Sequence, residues 1–238
     1  MSMYPDANVR KIGLEYSTED RAVFSFFNTV YAWMAVGLAL TAVVGWFVAA
    51  SGLVPVLFQS SFTIIALMLG AFAIAWSVQG AAMRMSPAAA TGLFLLYAAV
   101  IGVMISYIFI VYSASTLVSA FVLTAGTFGG MSLYGFVTKR DLTGIGSYLI
   151  MAFWGLLLAS VVNLFFASNA MSWVITYGIL FVFIGLTAYH TQNLKNFAHE
   201  NAHNPALASR MAIVGSLVLY VAFINLFLSI LRILGDRR

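Results

Sequence analysis

Residues 88–111 read AAATGLFLLYAAVIGVMISYIFIV, without one Asp, Glu, Lys or Arg. At ~1.5 Å of rise per residue, a helix of that length crosses the ~30 Å hydrocarbon core of a bilayer. Working outward, comparable apolar runs occupy 24–50, 58–79, 116–137, 143–167, 171–190 and 211–234. They are separated by Pro55, by Met85-Ser86-Pro87, by Tyr112-Ser113-Ala114-Ser115, by Lys139-Arg140-Asp141, by Ser168-Asn169 and by a polar stretch over 191–210. The pattern predicts an all-α polytopic membrane protein with seven transmembrane helices. It divides the chain into a tail over 1–23, a single membrane domain over 24–234 and a short tail over 235–238. Ser17 and Asp20 have the spacing of a capping box that opens the first helix.

Composition agrees. Of 238 residues, 63% are hydrophobic and 8% are charged, against roughly 25% charged in soluble domains. The mean hydropathy is +1.00. The formal charge of +4 comes from basic residues scattered through connections and tails, which is loop charge rather than a nucleic-acid stripe. Arg10, Lys11, Arg21, Arg84, Lys139, Arg140, Lys195 and Arg210 fall in the tail or in alternate connections. The positive-inside rule therefore puts the N-terminus in the cytoplasm. Seven crossings place Arg237 and Arg238 outside, an exception to that rule. The acids mixed into the first 23 residues and the length of the first run predict an uncleaved helix rather than a signal peptide.

The acids are more informative than the bases. Asp6, Glu15, Glu19, Asp20, Asp141, Glu200 and Asp236 all lie in tails or connections. Intramembrane proton relays and hard-cation sites ordinarily need buried carboxylates, because full negative charge must offset the dehydration of the ion. There is no HExxH, no GxSxG and no intramembrane aspartate pair, so no enzyme, metal site or cofactor is expected. With zero cysteines, thiolate chemistry is excluded. His199 and His203 have helical spacing, but they sit among Asn201, Asn204 and Pro205 and read as a solvated connection. All three histidines fall within 190–203, which does not supply a haem-ligand pair from two helices. The interior polar residues include Asn28, Gln79, Asn163 and Asn225, best read as interhelical hydrogen-bonding groups. Gly126 with Gly130, Ala71 with Ala75, and Gly37 with Thr41 have the spacing that packs membrane helices closely.

Four strings in order carry a resemblance. They are Asn28-Thr29-Val30-Tyr31-Ala32-Trp33-Met34; Thr124-Ala125-Gly126-Thr127-Phe128 running on to Thr138-Lys139-Arg140-Asp141-Leu142; Gly185-Leu186-Thr187-Ala188-Tyr189; and Phe223-Ile224-Asn225-Leu226-Phe227. The chain resembles the bacterial YccA-like branch of the Bax inhibitor-1 family. The resemblance implies a seven-helix bundle with the last helix central, surrounded by the other six, in a bacterial inner membrane. It also implies a pH-sensitive Ca²⁺ leak gated by two aspartates, one in each of the last two helices, with an arginine near the end of the second span. In this sequence the first aspartate position, in an aspartate-threonine-glutamine motif, reads His190-Thr191-Gln192, the second reads Ala222, and the arginine falls at Ala81 with Arg84 nearby. The candidate pH-sensing and gating residues are therefore His190, Gln192 and Arg84, and Asn225 and Asn163 are the candidate pore-lining residues. The alternative that the resemblance offers is a non-conducting protein. Such a protein binds other membrane proteins, either a membrane-anchored AAA protease or a larger membrane complex.

Overall fold

The computed structural model describes residues 18–81 and 86–235. Arg84 and Ser17 lie outside them, as do the side chains of Gln79 and Ala81. The helices are α1 (Thr18–Ala50), α2 (Val54–Gln59), α3 (Ser61–Ala81), α4 (Pro87–Ile105), α5 (Ile108–Val111), α6 (Ala114–Val137), α7 (Thr143–Phe166), α8 (Asn169–Glu200) and α9 (Pro205–Leu234). Seven stretches are long and apolar enough to cross a membrane, α4 and α5 together making one.

Local chemistry sets the boundaries. Ser86, Ser113 and Ser168 each turn a hydroxyl back to an exposed N–H in the first turn of α4, α6 and α8, satisfying one of the donors a helix start leaves open. Proline occupies the first turn of α2, α4 and α9, where its missing N–H costs nothing. Ala167, at φ 47°, ends α7 in the left-handed conformation, and its N–H reaches the Asn163 carbonyl.

The core forms around α9. It packs against α1, α8, α6, α4 and, slightly, α3, while α7 packs against α8 instead. In its apolar window 56% of α9 is buried, against 0% of α7. The last helix is thus central, but the expected ring of six is five. One stripe of α9, Met211, Val214, Val218, Val221, Asn225 and Leu228, remains half-exposed at helical spacing.

Three expectations change on contact with the structure. The polar stretch 191–210 is no simple connection: α8 continues to Glu200, so His199 lies in its last turn and the turn proper begins at Asn201. The run over 88–111 is interrupted at Ser106-Tyr107, where α4 stops and α5 restarts. And Gly126 and Gly130 do not cement this bundle. A Cβ at either, or at Gly129, would meet nothing within 4 Å, so these glycines face outward. Close approach occurs instead at Gly37, where a Cβ would sit 2.5 Å from the Phe94 ring, at Gly102 against the Thr41 carbonyl at 2.8 Å, and at Gly135 against the Ala188 backbone. Ala71 and Ala75 join the core as expected.

Candidate functional site

Among the described residues, two sets of buried polar side chains link α1 to other helices. The first is at the end where α1 begins. Tyr31 of α1 is hydrogen-bonded to Ser132 of α6, Ser132 lies 3.0 Å from Thr191 of α8, and Thr191 donates to the Thr187 carbonyl at 2.8 Å. Each hydroxyl owns one proton. With Thr191's proton on Thr187, Ser132 must donate to Thr191 and Tyr31 to Ser132, so the chain runs one way and ties three helices together.

Beside it, Gln192 spans the α6–α7 connection with both ends of its amide. Its Oε1 accepts from the Leu142 N–H at 2.8 Å and its Nε2 donates to the Arg140 carbonyl at 2.7 Å. Lys195 donates to the Phe136 carbonyl at 2.8 Å, with its ammonium 5.2 Å from the Phe136 ring. That cation satisfies one of the carbonyls left open where α6 ends and complements its dipole. The Phe136 ring in turn packs edge-on against Phe27 of α1 at 5.1 Å. Together these bonds tie the end of α6 and the α6–α7 connection to α8.

On the same connection Asp141 accepts from the Thr143 N–H at 2.9 Å. Hydrogen bonds from the Thr143 side chain, and then its backbone, hold the Asp141 carboxyl below the usual carboxylate range. A lowered folded value means that the bonded form is fully present above the unfolded pKa and is lost as pH falls through the folded one. Titration of the Asp141 carboxyl carbon by NMR should give a midpoint below that of an ordinary aspartate, and Thr143→Ala should move it upward. A midpoint at the ordinary value would show the bond to be absent.

The second polar set is deeper. Thr41 of α1 lies 2.9 Å from the Gly37 and Ala98 carbonyls and 2.6 Å from the Tyr220 hydroxyl of α9. Since both carbonyls can only accept, Thr41's proton goes to them and Tyr220 donates to Thr41. Ser216 likewise donates to the carbonyls of Val30 and Ala212.

His190 is half-buried beside Tyr189, their rings 5.2 Å apart. It walls a groove of about 250 Å³ with Leu194 and Phe197 of α8 and Met211, Gly215 and Val218 of α9. Ala222, fully buried, lies one turn along α9 from Val218. His190 and Ala222 therefore belong to one seam between α8 and α9. Asn163 and Asn225 are elsewhere and apart. Asn163 closes the α7–α8 turn, donating to the Ser172 hydroxyl and accepting from the Ser168 N–H. Asn225, on the half-exposed stripe, donates to the Val221 carbonyl of its own helix. No group of three or more His, Asp or Glu side chains that could hold a metal ion occurs among the described residues.

Sequence reasoning missed Tyr31, Ser132 and Lys195. Tyr31 and Ser132 stand within or beside the strings of the resemblance, and that position was the available signal. In the sequence Lys195 reads as connection charge.

Comparison with known proteins bears on this architecture. Residues 23–238 match the family described as "Inhibitor of apoptosis-promoting Bax1". The Escherichia coli K12 protein named "Inner membrane protein YbhL" is 45% identical over 216 residues, covering 90% of this chain and 92% of that protein. A Borreliella burgdorferi protein is 42% identical over 214 residues, with 90% and 92% covered. A Rickettsia prowazekii protein is 35% identical over 222 residues, covering 93% of each. Together with seven stretches long and apolar enough to span a membrane, the Escherichia coli relative supports a multi-pass location in an inner membrane. A family match over nearly the whole chain and close full-length relatives lead to one conclusion: this protein belongs to the Bax inhibitor-1 family.

Proposed function

We propose that this chain is a non-conducting, non-enzymatic regulatory protein of the inner membrane, which works by binding other membrane proteins instead of leaking Ca²⁺. The observation that carries this reading is the α8–α9 seam. Where the resemblance expects a pair of carboxylates, the seam has His190 and the buried Ala222, flanked along α9 by the buried Leu219 and Leu226. A divalent cation leaving water is ordinarily held by carboxylates among its oxygen ligands, and histidine becomes cationic on acidification, which repels it. The outward glycines of α6 support the second half of the proposal. Gly126, Gly129 and Gly130 leave room for the backbone of another helix, the geometry by which membrane helices associate. The partner class is a membrane-anchored AAA protease or a larger membrane complex. The N-terminus faces the cytoplasm in this reading, because Lys139, Arg140, Lys195 and Arg210 share one end of the bundle.

Purified protein in liposomes should pass no Ca²⁺ between about pH 5 and pH 8, while the double variant His190→Asp with Ala222→Asp should gain a pH-dependent flux. Flux through the wild type would overturn the reading in favour of the family leak. Mild-detergent purification should return a stoichiometric membrane partner that Gly130→Leu releases. Free protein alone would count against the proposal.

A further inference from the structure

Between α1, α5, α6 and α9 lies a second cavity, of about 290 Å³, on the opposite half of the bundle from the Gln192 clamp. Its origin is the interruption of the third span. At Ser106 the chain stops being α4, the Ser106 hydroxyl turning back to the Val103 carbonyl, and α5 restarts after Tyr107 with Ile108 and Phe109 lining the cavity. On the other side α6 packs on α8 and α9 rather than on α4 or α5, so a slot stays open between α5 and α6. Its mouth is Val118 and Phe121, 62% and 49% exposed, and its back wall is Phe223 and Phe227 of the central helix, 4% and 9% exposed.

The chemistry of the walls selects the occupant. The polar group among them is the Thr41 hydroxyl, already committed to two carbonyls and to Tyr220, so the slot offers an entering molecule hydrocarbon contact. Its mouth is continuous with the exposed apolar belt of Ile110, Val118 and Val122, the surface that meets lipid in a seven-span protein. An apolar cavity of ~150 Å³ already binds a benzene-sized molecule, and this one is larger and open to the side. Water gains nothing there, having no partners to bond.

We propose that this slot is a binding site for one phospholipid acyl chain, which enters sideways from the bilayer between α5 and α6 and reaches the central helix. The site is independent of whether the protein conducts ions.

The test uses full-length protein in vesicles that contain phosphatidylethanolamine with a diazirine at the end of one acyl chain. After irradiation, mass spectrometry maps the labelled residues. Labelling is expected at Phe223, Ile224 or Phe227, buried on α9, as well as at the exposed Met151 and Leu158 near the middle of α7. Ala42→Phe fills the rim from an exposed position of α1, which spares the fold. It should abolish the α9 labels and leave those on α7 intact. Val118→Trp, from the other side of the mouth, should do the same. Labelling confined to α7 in the wild type, or α9 labels that persist in both variants, would overturn the assignment.

Discussion

Gly135→Ala is expected to lower the thermal midpoint of the detergent-solubilised protein sharply or to prevent its accumulation, whereas Gly126→Ala, earlier in the same helix, should leave the midpoint unchanged or raise it. A Cβ at Gly135 falls 2.8 Å from the Ala188 Cα and 2.9 Å from its carbonyl carbon, and closer still to the carbonyl oxygen. Those atoms are backbone and cannot rotate away, so α6 and α8 must separate. Overpacking costs ~1–3 kcal/mol even where side chains can adjust. The helix-propensity gain of alanine over glycine, ~1 kcal/mol, does not offset that at Gly135, but at Gly126 it meets no opposition because nothing lies within 4 Å. Size-exclusion after graded heating reads both variants. Equal midpoints would show that α6 and α8 do not meet at Gly135.

Gln192→Leu should loosen the α6–α7 connection with little change elsewhere. The substitution nearly keeps the volume but removes two hydrogen bonds and strands the N–H of Leu142, a residue only 5% exposed. A buried unpaired group costs ~1–3 kcal/mol, and tenfold in an equilibrium corresponds to ~1.4 kcal/mol. Tryptic cleavage after the exposed Lys139 or Arg140 should therefore accelerate roughly tenfold when cleavage follows local opening. Gln192→Glu keeps the acceptor for Leu142 but faces the Arg140 carbonyl without a proton to give, so its rate should fall between the two. Identical rates for all three proteins would mean that something other than Gln192 holds the connection.

The spans were readable because hydrocarbon thickness imposes a length and an apolar character that survive in the raw sequence. The breaks at Met85-Ser86-Pro87, Tyr112-Ser113-Ala114-Ser115 and Ser168-Asn169 separate spans in the sequence, and in the structure Ser86, Ser113 and Ser168 prove to be the caps that start α4, α6 and α8. What hydropathy cannot mark is a helix that leaves the apolar layer without ending: Gln192 and Lys195 are polar because they clamp a neighbouring connection, and that polarity mimics a loop. Nor does spacing reveal a face. Gly126 with Gly130 has the packing period, yet Gly135, with no partner at that spacing, makes the contact, since which side of α6 turns inward is decided by α8 and α9. The bonds of Gln192 go to backbone groups some fifty residues away, which leave no trace in residue identity. The break at Ser106-Tyr107 was hidden for a related reason, both residues being compatible with an uninterrupted span. The seam of His190 and Ala222 became legible only through resemblance, because an alanine in an apolar run signals nothing by itself.

The helix at the centre is also made after all the helices it fills. Domains ordinarily consolidate from the N-terminus as they are synthesised, but here the earlier spans enter the bilayer with Thr41 lacking its Tyr220 partner and Val30 lacking Ser216. Until α9 leaves the insertion machinery, the nascent bundle lacks its centre: Thr41 can still reach the Gly37 and Ala98 carbonyls, but the bonds from Tyr220 and Ser216 do not yet exist. A ribosome that stalls before Ser216 would leave an inserted protein without a keystone, exposed to quality-control proteolysis despite six intact crossings.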